Sequence, residues 1–197
     1  MADFGGITAE VFSGIAVAVS GYSLWYSTLR KPVLRAFVPP VTRYASPYQN
    51  SIFEVFEIPL TVVNEGALTG TVLSLNLKVT NPRGATKQFY AAGLGSWSIG
   101  KARGEGLAPF TPICLPGRSS HSAVILFYAR EDSSVMQIVE EPGRYKFALT
   151  MLTAHALESR PVEFEMKLPF MDNRAFTSGS GSLPLYQPDW QAASAKA

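Results

Sequence analysis

An uncharged apolar stretch near the N-terminus constrains the fold of this chain more than any other feature. No charged residue and no proline occurs from Val11 to Leu29, and Arg30 and Lys31 follow directly. At about 1.5 Å per residue, a helix over residues 6–29 would be roughly 35 Å long, which exceeds the bilayer core of about 30 Å. The stretch therefore predicts a single transmembrane helix over residues 6–29, preceded by an N-terminal tail of residues 1–5.

Two other interpretations of this stretch are a cleavable secretory signal and a buried core helix. Ala16-Val17-Ala18 is typical of a signal cleavage site, but residues 1–10 contain Asp3 and Glu10 and no basic residue. A secretory signal begins with a positive region, which this chain lacks. A core helix would concentrate its polar residues on one face, whereas the serines here are scattered around the helix. An uncleaved anchor is the favoured interpretation.

The residues that flank the stretch predict its orientation. Basic residues occur only on its C-terminal side, so the positive-inside rule places the rest of the chain in the cytoplasm and the N-terminus outside. Aromatic rings favour the headgroup layer, next to such basic residues. The predicted membrane-interface residues are Tyr22, Trp25, Tyr26, Arg30, Lys31 and Arg35. The predicted location is the inner (cytoplasmic) membrane, in a single-pass arrangement.

Small residues recur along one side of the predicted helix. Gly14, Ala18 and Gly21 are spaced by four and three residues, and such a stripe lets another helix approach closely. They are predicted helix-packing residues, although small residues are common in membrane helices in any case. No His, Asp or Glu lies between Val11 and Leu29, so the helix offers neither a usual haem ligand nor a proton relay.

Residues 30–169 show the pattern of a domain that is mainly β. Short segments of alternating polarity are separated by Pro- and Gly-containing turns, and about seven or eight strands are predicted by this pattern. The clearest strand is Gly70–Asn81, for which period-two alternation predicts five inward residues: Thr71, Leu73, Leu75, Leu77 and Val79. Many short strands with regular turns indicate an antiparallel β-sandwich.

The composition changes after this domain. Residues 170–197 are predicted to be a flexible C-terminal tail, in which alternating Ser and Gly over residues 178–182 form a linker. The peptide beyond the linker is either a docking segment or a disordered end. Together with Trp97 in a Gly-rich loop, the candidate partner-docking residues are Leu183, Leu185, Tyr186 and Trp190.

No enzyme motif is complete in the sequence. Gly95–Lys101 matches the start of a phosphate-binding loop, but Ala102 stands where the magnesium-binding Ser or Thr belongs. His121 lies near serines without a nucleophile elbow, and Cys114, the single cysteine, has no basic neighbour. The net charge of +2 is distributed without a basic patch. The sequence therefore predicts a non-enzyme, without cofactor, metal or nucleic-acid partner.

Three turn-and-strand motifs resemble bacterial immunoglobulin-like sandwiches: Val-Val-Asn64-Glu65-Gly66, Leu115-Pro116-Gly117 and Pro142-Gly143-Arg144-Tyr145-Lys146-Phe147. The segment Leu29–Leu34 after the anchor is similar to bacterial single-pass proteins of unassigned function. This resemblance implies an immunoglobulin-like domain behind one transmembrane helix and does not imply a function.

By exclusion, the expected role is a non-enzymatic accessory or scaffold subunit of a membrane protein complex, such as a photosynthetic or respiratory one. Its expected partners are integral membrane subunits and lipid. The alternative is an anchored binding module that recruits a cytoplasmic protein.

Overall fold

The computed structural model describes residues 4–46, 54–96, 105–129, 137–155, 161–169 and 182–188. An α-helix, α1, spans Phe4–Leu24 and continues as a π-helical turn over Trp25–Leu29. Eleven strands lie in the described residues: β1 Leu34–Phe37, β2 Val41–Ala45, β3 Val55–Asn64, β4 Gly70–Thr80, β5 Thr86–Ser96, β6 Glu105–Pro109, β7 Ile113–Leu115, β8 Ser120–Ala129, β9 Gly143–Thr153, β10 Val162–Leu168 and β11 Leu183–Tyr186.

Eight of these strands form a closed antiparallel barrel. Its order is β5-β8-β3-β2-β11-β10-β9-β4, and β4 pairs back with β5 through Asn76–Thr80 and Thr86–Tyr90. Strand β1 runs beside the second half of β3, while β6 and β7 extend the edges of β5 and β4. The mainly β prediction is thus confirmed in its class.

The prediction of an immunoglobulin-like sandwich is wrong. A sandwich keeps two separate sheets, whereas here β2, β11 and β10 connect them on one side and the β4–β5 pairing connects them on the other. The sequence interpretation lacked two of these connecting strands. Leu183–Tyr186 lies in the predicted tail and Val41–Ala45 directly follows Pro39-Pro40, yet the two segments pair with each other as β11 and β2.

The barrel interior is filled by apolar side chains from alternate strand positions. Leu75, Leu77 and Val79 of β4 are buried as predicted, but Leu73 is 41% exposed because a bulge between Val72 and Ser74 reverses the alternation. An aromatic cluster occupies the centre: the Phe56 ring lies 4.9 Å from Phe89, 5.3 Å from Phe147 and 5.0 Å from Tyr44. Edge-to-face packing of such rings stabilises the core beyond the area that it buries.

The prediction of a transmembrane helix is also wrong. In the part of the chain that the structure describes, no helix has both the length and the apolar character needed to cross a bilayer. Gly14, Ser20 and Gly21, with neighbouring serines, interrupt the apolar residues of α1. Three predictions that depend on this helix are therefore wrong as well: the single-pass inner-membrane location, the orientation with the N-terminus outside, and the resemblance to anchored immunoglobulin-like proteins.

Candidate functional site: the exposed helix and its junction with the barrel

Helix α1 and the π-helical turn are exposed to solvent in the part of the chain that the structure describes. Every residue from Val11 to Leu29 is exposed. The large apolar side chains are 43–71% exposed; they are Val11, Phe12, Ile15, Val17, Val19, Tyr22, Leu24, Trp25, Tyr26 and Leu29. Most helices in proteins are stabilised by packing of an apolar face, and an isolated helix in water is only marginally stable. An apolar helix without internal packing is therefore a candidate interaction surface.

The predicted helix-packing residues lie on this exposed helix. A Cβ atom added at Gly14 or Gly21 would meet no described residue within 4 Å, so no contact seen in the structure requires a glycine at either position. Gly in the middle of a helix is less stable than Ala by roughly 0.5–1 kcal/mol. Both glycines thus lower the stability of α1, and no contact among the described residues compensates for this loss.

The C-terminal end of the helix carries an aromatic group on a π-helical turn. The Tyr22 ring lies 6.1 Å from Trp25 and 6.2 Å from Tyr26. The Thr28 hydroxyl donates to the Leu24 carbonyl at 2.6 Å, and the Ser27 hydroxyl lies 3.2 Å from the same oxygen. These hydroxyls stabilise a carbonyl that the widened π-turn leaves at the helix end.

A single buried side chain organises the junction between this helix and the barrel. Asn64 is fully buried at the end of β3. Its Oδ1 accepts from Gly66 N at 3.0 Å and from Val33 N at 3.3 Å. Its Nδ2 donates to three carbonyl oxygens, those of Leu68 at 2.9 Å and of Leu115 and Pro116 at 3.1 Å each. One amide thus joins the segment after the helix to two barrel turns.

Backbone hydrogen bonds reinforce this junction. The Arg30 carbonyl, directly after the π-turn, accepts from Ala67 N at 2.9 Å and Leu68 N at 3.1 Å. Glu65 N donates to Val33 O at 2.9 Å, and the Glu65 carboxylate lies 3.3 Å from Arg35 Nε. That ion pair is largely exposed and contributes little, so the backbone bonds and Asn64 dominate.

Arg118 connects the second barrel turn to the aromatic group. Its backbone is left-handed, with φ of 55°, and its N–H donates to Gly66 O at 2.9 Å. Its Nη2 donates to the Tyr26 carbonyl at 3.0 Å. The Tyr26 ring lies 5.2 Å from the guanidinium carbons of both Arg118 and Arg30. Cation–π contacts of this kind contribute about 0.5–1 kcal/mol at exposed sites.

Two glycines allow the close backbone contacts of the junction. A Cβ at Gly66 would collide with the Lys31 carbonyl oxygen, and a Cβ at Gly117 would collide with the Ala67 carbonyl oxygen. Both obstacles are backbone atoms, which cannot move aside without breaking the hydrogen bonds around Asn64. Gly66 and Gly117 are therefore sterically required here.

A groove of about 770 Å³ lies beside the junction. Its lining residues are Lys31, Pro32, Leu34, Leu68, Thr69, Met151, Thr153 and His155. His155 Nε2 is 3.4 Å from the Thr69 carbonyl oxygen, so this imidazole already has a partner. The groove thus lies between the segment that follows the helix and the strands β4 and β9 of the barrel.

The opposite end of the barrel contains a buried ion pair. Glu54 directly precedes β3, whereas Asn64 ends it, so the two ends are separated by roughly 30 Å of strand. Lys87 Nζ lies 3.2 Å from Glu54 Oε2, and these side chains are only 6% and 3% exposed. Burial raises the pKa of Glu54 to about 7, because desolvation outweighs the attraction of Lys87.

The predicted site residues divide between the two parts of the molecule. Tyr22, Trp25, Tyr26, Arg30, Lys31 and Arg35 lie in the helix or its junction. Leu183 and Leu185, candidates for docking on a partner, are 6% and 0% exposed and pack into the barrel core, with Tyr186 at the end of the same strand. Trp97 and Trp190 lie outside the described residues.

Sequence reasoning did not identify Asn64 or Arg118 as junction residues. The available signal was the pairing of two turn motifs, Asn64-Glu65-Gly66 and Pro116-Gly117, whose glycines the fold brings onto backbone carbonyls. His121 and Cys114 are both exposed. Among the described residues, no cluster of three His, Cys, Asp or Glu could hold a metal ion.

Comparisons with known proteins give no family. No protein-family model and no curated protein matches the sequence. The solved structures that resemble it include a putative ApaA protein from Bordetella pertussis, 15% identical over 81% of this chain and 97% of that one, with a TM-score of 0.30. Another is the structural-genomics target SoR45, 16% identical over 79% of this chain and 88% of that one, with a TM-score of 0.27. Likenesses this distant carry no argument about function.

Proposed function

We propose that this protein is a non-enzymatic accessory or scaffold subunit of a protein complex, and that it binds its partner subunit through the exposed helix. The observation that carries the proposal is the uninterrupted exposure of Val11–Leu29, an apolar segment without a charged residue. Burial of such side chains contributes roughly 25 cal/mol per Å², and among the described residues these side chains remain exposed beside the barrel. The proposed partner supplies this missing cover.

The junction supports a presenting role for the barrel. Asn64, the Arg30 carbonyl and Arg118 fix the base of the helix to two barrel turns through side-chain and backbone hydrogen bonds. A flexible tether would need no such connection, whereas a scaffold subunit must hold its binding element in one direction. The helix is therefore presented to the partner in a fixed direction, which lowers the entropy lost on binding.

Co-purification tests the proposal. The full chain, tagged at its C-terminus, is isolated from its own cells under mild conditions, beside the variants Phe12→Glu and Val17→Glu, each at a side chain that is 71% exposed on the helix. The matched control is Tyr90→Glu, which places the same charge at a 42% exposed position on the barrel wall. We expect a stoichiometric partner with the parent chain and the control, and its loss with both helix variants.

Two results would contradict the proposal. One is a partner that is retained by both helix variants, which would place binding elsewhere on the molecule. The other is a parent chain that is isolated alone and remains monomeric, since the apolar helix would then be stable without cover.

A further inference from the structure

A regular spacing organises the exposed surface of helix α1 and the π-helical turn. Its residues from Val11 to Leu29 are all exposed. Apolar side chains at alternating intervals of four and three residues form one stripe, called the seam here: Val11, Ile15, Ala18, Tyr22, Trp25 and Leu29. Positions seven residues apart differ by only about 20° around an α-helix, so the seam follows one side of the helix. Such spacing is the pattern by which two helices pack along their length.

The serines of the helix lie on the side opposite the seam. Ser13, Ser20 and Ser27 recur at the same interval of seven residues, and Ser23 lies next to this line. At 3.6 residues per turn, the serine line is about half a turn away from the seam. The sequence interpretation treated these serines as scattered, whereas their helix positions place them on one face. The helix thus has a polar face for water and an apolar stripe for a partner helix.

The seam is symmetric about Ser20, because its successive intervals are four, three, four, three and four residues. A second copy of the helix that runs in the opposite direction, aligned at this residue, therefore superposes seam on seam. The facing pairs are then Val11 with Leu29, Ile15 with Trp25, and Ala18 with Tyr22. In the two inner pairs, a smaller aliphatic side chain faces a large aromatic one, which favours interdigitation.

The charges at the two ends of the apolar stretch favour the antiparallel direction. Asp3 and Glu10 precede the stretch in the sequence. Arg30 and Lys31 follow it, and the Arg118 guanidinium packs on an aromatic ring of its last turn. A parallel pair would place two such basic groups side by side, where like charges repel. An antiparallel pair places each basic end beside the acidic end of the other copy and keeps the two barrels apart.

The area of the seam is sufficient for a stable dimer. Its large side chains are about half exposed, from 49% for Trp25 to 66% for Tyr22. If each of the six side chains contributes about 100 Å², pairing of two copies would remove roughly 1,200 Å² from water. Specific interfaces bury about 1,200–2,000 Å² in total, so the seam alone reaches the lower end of this range.

We propose that two copies of this chain form a homodimer through antiparallel pairing of their seams. The inference goes beyond the proposed function, because it assigns one side of the helix to self-association. Phe12 and Val17, whose variants test binding of a partner subunit, lie about 100° or more from the centre of the seam. They remain exposed in the dimer, so the two proposals can fail separately.

Analytical ultracentrifugation of the purified full chain tests the pairing. We expect the parent chain to be a dimer and Ala18→Glu to be a monomer, because two carboxylates would be buried against the Tyr22 rings. The matched control is Ser20→Glu, which places the same charge two residues away on the polar face and should leave the dimer intact. Both positions are exposed in the single chain, so neither substitution disturbs the barrel.

Disulfide trapping tests the direction of the pair. In a Cys114→Ser background, chains with Val11→Cys and chains with Leu29→Cys carry different tags, are mixed in equal amounts and are mildly oxidised. We expect disulfides between the two different variants, whereas a parallel pair would join only like variants. The inference is overturned by a monomeric parent chain, including one bound one-to-one to another protein, by a dimer that persists in Ala18→Glu, or by disulfides between like variants only.

Discussion

Replacement of Asn64 by alanine tests how far one amide holds the helix to the barrel. The substitution removes an acceptor from two amides and a donor from three carbonyls. The bonds to Gly66 N and Leu115 O are buried, and a buried group without a partner costs about 1–3 kcal/mol. The other three partners are part-buried and can form hydrogen bonds to water instead. We therefore expect the free energy of unfolding to fall by about 4 kcal/mol.

Asn81 provides a matched control for this experiment. It also follows a long strand and organises a turn, with Oδ1 accepting from Arg83 N at 3.1 Å and Ala85 N at 2.8 Å. Both bonds are local and part-buried, so Asn81→Ala should cost only about 1 kcal/mol. Urea unfolding of the full chain measures both variants. If the two losses agree within 1 kcal/mol, Asn64 is an ordinary turn residue and the reasoning is refuted.

A second readout isolates the connection to the helix. Because Asn64 Oδ1 accepts from Val33 N, its loss should loosen the segment between the π-turn and β1, where the Arg30–Lys31 bond is a trypsin target. We expect faster tryptic cleavage at this segment under native conditions in Asn64→Ala and an unchanged rate in Asn81→Ala. An equal rate in both variants would show that the backbone bonds alone hold the helix.

Three further predictions concern other positions. Gly117→Ala should destabilise the protein by more than about 2 kcal/mol in thermal unfolding, because the added Cβ collides with the Ala67 carbonyl. Gly14→Ala has no such collision and should raise the helix content in circular dichroism. An unchanged stability of Gly117→Ala, or a lower helix content of Gly14→Ala, would contradict these expectations. Arg118→Ala should increase the mobility of the Tyr26 ring in NMR relaxation at a cost of about 1 kcal/mol, while Arg144→Ala, in an exposed 3.8 Å pair with Glu165, should leave Tyr26 unchanged. Leu185→Ala should cost about 2–5 kcal/mol because this side chain is fully buried in the barrel, and a loss below 1 kcal/mol in urea unfolding would show that β11 is dispensable.

The sequence pattern predicted the parts of the fold that local alternation determines. The inward residues Leu75, Leu77 and Val79 follow period two, and the bulge at Val72/Ser74 shows where that rule stops, since a bulge arises from pairing with a partner strand. Closure of the barrel was unpredictable for the same reason. Strand β2 follows Pro39-Pro40 and β11 follows a Ser/Gly-rich segment, so both resemble loop or tail until their mutual pairing is known.

The sequence predicted the helical part of the candidate site but not the junction. The apolar residues of Val11–Leu29 and the basic residues after them are evident in the sequence, and they led to the membrane interpretation that the structure contradicts. The junction was missed because Asn64 and Arg118 are both distant in sequence from the helix that they contact or position. Only the antiparallel pairing of β3 with β8 brings their turns together.

The position of β11 in the barrel determines when the barrel is complete during synthesis. This strand lies between β2 and β10, so β2 has no partner on that side until residues 183–186 have been translated. Helix α1, in contrast, precedes all the described strands in the sequence and is synthesised before them. Until β11 is made, a nascent chain would therefore expose both an unpaired strand edge and an apolar helix, which favours early capture by a chaperone or by the partner itself.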